Sequence, residues 1–155
     1  MLTAETVRKL LDYEPETGVF RWLSDAANGR TKKGTVAGSL SRSGYRRIKL
    51  NRSRYQAHRL AWLYVYGEWP SDEIDHINAL RDDNRIENLR IASRSQNRAN
   101  SKSRRAGLKG AYKGRSGFTA VCRGRYIGHF DTAEEAHAAY CAAAEKHFGE
   151  FARFE

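Results

Sequence analysis

IDHINALRDDNRIENLRIASRSQN, residues 74–97, is the stretch around which this chain is organised. Asp75 and His76 follow the apolar Ile74 and precede a polar, Asn- and Asp-rich loop from Asn78 to Glu87. Asn88-Leu89-Arg90-Ile91 alternates as a short strand does. Ser93-Arg94-Ser95-Gln96 has the spacing of a capping box, which predicts a helix with Asn97 in its first turn. Strand, loop, strand and helix would bring His76 and Asn97 to face one another across one small pocket.

The residue types in that pocket carry a chemistry. A hard divalent cation takes oxygen ligands, often only one or two of them from protein when phosphate and water supply the rest. Asp75 offers a carboxylate and Asn97 an amide oxygen. His76 leaves the strand on the opposite face from Asp75, and its neutral imidazole is suited to taking a proton from water near pH 7. Asn88 stands where its side chain can brace the loop by hydrogen bonds to backbone. Together these point to metal-assisted attack of water on a phosphodiester.

The span from His58 to Asn100 resembles the HNH endonucleases of the phage and intron homing type, in which this unit is called a ββα-metal motif, or His-Me finger. The resemblance implies that His76 is the general base, that Asp75 and Asn97 ligate Mg2+ or Mn2+, and that Asn88 is the loop-bracing middle residue. The last position is Asn, so the pattern reads H-N-N. Asn still offers magnesium an oxygen, whereas zinc prefers nitrogen and sulfur.

Charge agrees with a polyanionic partner. The net charge is +10 and the pI near 9.9. Residues 26–67 carry ten Lys or Arg and no acid, and residues 88–130 carry eleven and no acid. Seven carboxylates gather between them, over 68–87, around the Asp-His pair. Only two cysteines occur, Cys122 and Cys141, outside any CxxC pair, which excludes a zinc ribbon. No apolar run approaches membrane-spanning length and the first residues lack a signal core, so a soluble, cytoplasmic protein without a membrane partner is expected.

Ahead of the motif, Thr3 to Leu11 predicts a short helix, and Tyr13 to Trp22 a hairpin turned at Pro15-Glu16-Thr17-Gly18. Residues 24–43 read as irregular. Gly44 to Ala57 predicts a hairpin through Asn51-Arg52, with Tyr45, Arg47 and Lys49 alternating with Arg46, Ile48 and Leu50. Its cationic face, with Arg47 and Lys49, suits phosphate tracking, and the neighbouring Arg46 is a further DNA-binding candidate. His58 to Tyr66 predicts a helix ended by Gly67, with His58 a structural residue at its start.

After Asn97 the composition becomes small, polar and basic, which predicts a linker over 101–108. Beyond it come three short strands at 109–112, 118–121 and 126–130, then a helix opened by the capping box Thr132 to Glu135. Ala136, Ala139, Tyr140 and Ala143 form one stripe of that helix, against which Phe151 and Phe154 are expected to tuck. This pattern, with FDTAEEAHAAYCAAA and a closing FGEFA, is similar to the plant ethylene-response-factor (APETALA-type) DNA-binding domain. That resemblance implies a sheet laid in the major groove of duplex DNA, with Lys113, Arg115, Phe118, Arg123, Arg125 and Tyr126 at the contacting positions. The second strand begins Phe118-Thr119 where that family has Trp-Arg.

The expected fold is α+β: a β-rich extension over 1–57, a ββα-metal nuclease unit over 58–100, a basic linker over 101–108, and over 109–155 a three-stranded antiparallel sheet packed on one helix. The expected function is metal-dependent cleavage of double-stranded DNA by a monomer or homodimer. The rival is a DNA-binding transcriptional regulator in which the nuclease unit is only scaffold.

Overall fold

Thr3 opens the first helix because its hydroxyl accepts the Thr6 amide, which satisfies one of the donors a helix start leaves bare. That helix, α1 (Ala4–Leu10), runs directly into a hairpin of β1 (Leu11–Glu14) and β2 (Val19–Trp22). The computed structural model describes residues 2–25, 31–103 and 107–155. These divide into two compact units, Met1–Ala92 and Ser93–Glu155.

In the first unit a three-stranded antiparallel sheet joins β3 (Ser39–Leu40), β4 (Arg46–Leu50) and β5 (Ser53–Gln56). Asn51 and Arg52 turn β4 into β5 with both φ angles positive, as the hairpin turn that fits strand twist requires. α2 (Ala57–Tyr66) follows at once and stops at Gly67, which takes the left-handed conformation. β6 (Glu73–His76) and β7 (Leu89–Ala92) then pair antiparallel, Asp75 opposite Arg90 and His76 opposite Leu89.

The core of this unit gathers α1, both hairpins and α2: Val7, Leu11, Phe20, Ile48, Leu60 and Leu63 are almost completely buried. Trp69 stacks on Tyr55 at 5.8 Å and donates its indole N–H to the Leu2 carbonyl. On β4, Ile48 and Leu50 face inward while Arg47 and Lys49 are exposed. Two residues depart from the simple two-faced reading of that strand. Tyr45 lies just ahead of it and packs on His58 and His76 rather than joining the cations, and the inward-leaning Arg46 gives its guanidinium to Asp82.

The second unit begins with Ser93, whose capping box with Gln96 starts α3 (Arg94–Asn100). The strands β8 (Ala111–Lys113), β9 (Phe118–Cys122) and β10 (Arg125–Phe130) form an antiparallel sheet with β9 in the middle. Thr132 and Glu135 form the second capping box, opening α4 (Ala133–Phe148). The buried stripe of α4 is Ala136, Tyr140 and Ala144, with Ala139 and Ala143 only half-buried beside it. Phe151 is buried as expected, but Phe154 is 41% exposed, because the chain leaves its last short turn at Ala152 in an extended conformation.

The division between units falls ahead of α3, not in the basic segment expected as a linker, of which residues 104–106 lie outside the described residues. The Lys109 ammonium donates to the carbonyls of Ala99, Ser101 and Arg153, tying the end of α3 into the second unit.

Gly18 is a position where only glycine fits. Its φ is +71°, and a Cβ there would lie 2.4 Å from the backbone of Asn84 and Arg85. Gly18→Ala is therefore expected to lower stability by about 2 kcal/mol or more, through left-handed strain and overpacking together. A urea midpoint equal to that of the parent chain would disprove the close approach.

Candidate active site

β6 delivers Asp75 and His76 to opposite faces of the two-stranded ladder. Asp75 is buried, and its cross-strand partner Arg90 donates Nε–H to Oδ2 at 2.9 Å. His76, also buried, meets the His58 ring edge-on with centroids 4.9 Å apart, the Tyr45 ring at 5.9 Å, and the Asn84 amide, Nε2 to Oδ1, at 3.3 Å.

These surroundings decide the charge state. Burial dominates at His76 and holds it below the ordinary histidine value, while the Asn84 hydrogen bond and the Asp75 carboxylate pull the other way. At His58 burial, helped by His76 and Arg59, lowers the value to about 3. Both rings are neutral at pH 7, and a neutral imidazole can accept a proton.

The loop after β6 is pinned by its own polar side chains. The Asn88 side-chain amide donates to the Asn78 side chain at 3.0 Å and the Asp83 carbonyl at 2.8 Å, and its oxygen accepts the Asn78 backbone N–H at 3.0 Å. Asp83 accepts two hydrogen bonds from the Arg85 guanidinium and a third from the Arg85 backbone N–H, which, with Asn78, hold its carboxyl down at about 2. Arg46 grips Asp82 in a fork of 2.9 and 2.8 Å, and Arg81 lies 5.1 Å over the Tyr45 ring. Of the seven carboxylates that read as one acidic centre, Asp82, Asp83 and Glu87 are thus spent on arginines of the same unit.

That arrangement bears on a metal. Among the described residues no three His, Cys, Asp or Glu side chains cluster as a cage would need. Asp75 alone offers a buried carboxylate at the end of β6, a donor that suits a hard cation whose remaining ligands are water and phosphate. Asn97 stands in the first turn of α3, half-buried, in the second unit. The pairing of His76 with Asn97 expected from sequence therefore falls across the division between the units.

For the sheet of the second unit, register sorts the expected DNA-contacting residues. Directly paired residues share a face. Phe118, paired with Lys113 and Phe130, lies on the side of the buried Ala120 and Cys122, against which α4 packs. Arg125 pairs with Cys122 and follows the same side, though it is exposed. Tyr126 pairs with Val121 on the opposite face and is 67% exposed, with Tyr112, Thr119 and His129 on that face as well. Arg115 and Arg123 occupy the turns, Arg123 with φ +55° and its guanidinium over the Phe148 ring.

Reasoning from sequence missed Asn84, Tyr45 and Arg90. Only Arg90 had a signal, since a strand pairing back on β6 with a short loop places some β7 residue opposite Asp75.

Residues 55–99 match the family model described as HNH endonuclease. The matched span carries His58, Asp75, His76, Asn84, Asn88 and Asn97, and it supports an HNH nuclease acting on DNA. No curated protein and no solved structure matches the chain.

The buried histidines have a thermodynamic consequence. Below the unfolded value of 6.5 the unfolded chain binds a proton at His58 that the folded chain refuses until about pH 3. Stability is therefore full above pH 6.5 and declines on acidification, by about 2 kcal/mol at pH 5 from His58 alone. His76 acts in the same direction. Urea unfolding at pH 7 and pH 5 measures the drop, and His58→Phe should reduce it; an unchanged drop would remove His58 as its source.

Proposed function

We propose that this chain is an endonuclease that hydrolyses phosphodiester bonds in duplex DNA, with His76 as general base. The observation that carries the reading is the neutral His76 imidazole beside the buried Asp75 on β6, inside the span that matches the HNH endonuclease model. His76 takes the proton of the attacking water, and the new P–O bond forms as the bond to the 3′-oxygen breaks; that oxygen takes a proton from solvent water, leaving a 3′-hydroxyl and a 5′-phosphate. Asp75 is the carboxylate ligand of a divalent cation, Mg2+ or Mn2+. Asn97 is the second oxygen donor, assigned by the spacing of the motif alone. When bound, the cation supplies Lewis-acid neutralisation of charge at the phosphorus and the departing oxygen. Asn88 holds the loop that follows His76 in shape.

DNA is held by cations on both units. In the first unit, Arg47 and Lys49 line a cleft of about 840 Å³ with Arg42, Arg54 and Trp22, a setting that suits a sugar-phosphate backbone. Arg46, spent on Asp82, contributes to the fold more than to this surface. In the second unit Lys113, Arg115, Arg123 and Arg125 give phosphate contacts, and the exposed Tyr126 offers its hydroxyl to the sugar-phosphate backbone. One active site acts on one strand, so a monomer nicks and a double-strand break needs a homodimer or two events.

Supercoiled plasmid with Mg2+ or Mn2+ tests the reading. Conversion to open circles that EDTA abolishes and His76→Ala slows by about a hundredfold or more, with DNA affinity kept, is the expected outcome. Tight binding without cleavage in either metal would favour the DNA-binding regulator. Because burial lowers the His76 value, the acid limb of kcat/KM should fall below pH 6.5, with activity lost as pH drops through it. A limb at or above 6.5 would assign the base elsewhere.

Arg47→Ala and Arg125→Ala should each weaken binding and reduce the slope of log affinity against log salt by roughly one. An unaltered slope would mark that arginine as a bystander.

A further inference from the structure

We infer that Asn84 is a positioning residue that fixes the His76 ring as its Nε2–H tautomer, so that Nδ1 is the nitrogen carrying the basic lone pair. The inference rests on the nuclease reading only for its catalytic consequence. Asn84 is 1% exposed, and its side chain bridges two groups: Oδ1 lies 3.3 Å from His76 Nε2, and Nδ2 donates to the Asp82 carbonyl at 3.1 Å. The second contact sets the direction of the first. Rotating the amide by half a turn would bring its oxygen against the Asp82 carbonyl, two acceptors facing each other without water to separate them. With Oδ1 held toward the ring, Nε2 must be the donor. A neutral imidazole has one N–H, so the lone pair is on Nδ1.

The Asn84 backbone is itself held by the N-terminal hairpin. Tyr13 on β1 donates its hydroxyl to the Asn84 carbonyl at 2.7 Å in a buried contact, and Gly18 lies against the Asn84 backbone at a distance no side chain permits. The helix–hairpin extension that precedes the nuclease motif thus reaches its base through one residue. Nothing in the motif supplies this support, since Tyr13 lies 71 positions before Asn84.

The test reads the ring directly. In the full-length protein, long-range 1H–15N spectra of His76 at neutral pH should give a pyrrole-like Nε2 and a pyridine-like Nδ1. Asn84→Leu removes the acceptor and should mix the two tautomers, lowering kcat about tenfold or more with KM for DNA nearly unchanged. Asn84→Asp keeps an acceptor and should keep the Nε2–H form. Overturning results are an Nδ1–H ring in the parent chain, or an Asn84→Leu ring still wholly Nε2–H. Should the leucine variant fail to fold, the parent and aspartate spectra still decide. A parent chain that cleaves no DNA yet shows the Asn84-dependent tautomer would sink the nuclease reading and leave this one standing.

Discussion

A buried histidine can act as a base only if its neighbours keep it neutral and hold its ring in one orientation. Most of the first unit can be understood from that constraint at His76. Charging an imidazole out of water is costly, and here the cost is left uncompensated on one side by the neutral His58 ring and on another by Tyr45. The Asp75 carboxylate, one residue away, would favour the imidazolium, but Arg90 already faces it across the ladder. The outcome is a ring held neutral by burial, with Asn84 hydrogen-bonded at its Nε2.

The arginines around this site divide by what they face. Arg46, Arg85 and Arg90 pair with Asp82, Asp83, Glu87 and Asp75, and they shape the loop and ladder. Exposed pairs contribute little to stability on their own, but the bidentate forks fix geometry, which is what a loop carrying no regular structure needs. Arg47 and Lys49 point the other way on β4 and have no such acid opposite them in the ladder: their partners there are Gln56 and Arg54. Strand alternation alone separates structural cations from those open to phosphate.

Much of this was legible in the sequence because it depends on local chemistry. Capping boxes at Ser93 and Thr132, the helix stop at Gly67 and the turn at Asn51-Arg52 are set by neighbouring residues, and each element stands where those signals placed it. The Asp-His strand and its partner followed from alternation. What escaped was long-range: Tyr13 reaching Asn84, Tyr45 packing at a tilt on two histidines, Arg46 reaching Asp82. Period-2 patterning says which residues share a face, but not which loop will cover it. Nor does it say which side of a sheet meets a partner: in the second unit the pairing of Lys113 with Phe118 and of Arg125 with Cys122 places both on the helix side, exposed at the ends of their strands.

Composition was the weakest guide of all to the division of the chain. A run of Ser, Lys, Arg and Gly reads as a linker because such residues bury little, yet Lys109, just past its expected end, donates to three carbonyls, two of them of residues at or just before its start, and is lowered in pKa by burial. An ammonium has three protons, and here each meets an oxygen, so the end of α3 and the closing residues are drawn onto one point. The segment matched as HNH endonuclease runs on to residue 99 and so ends inside the second compact unit. The motif and the folding unit are therefore different objects in this chain. α3 is recognised with the nuclease by its sequence, but it owes its packing to Lys109 and the residues after it.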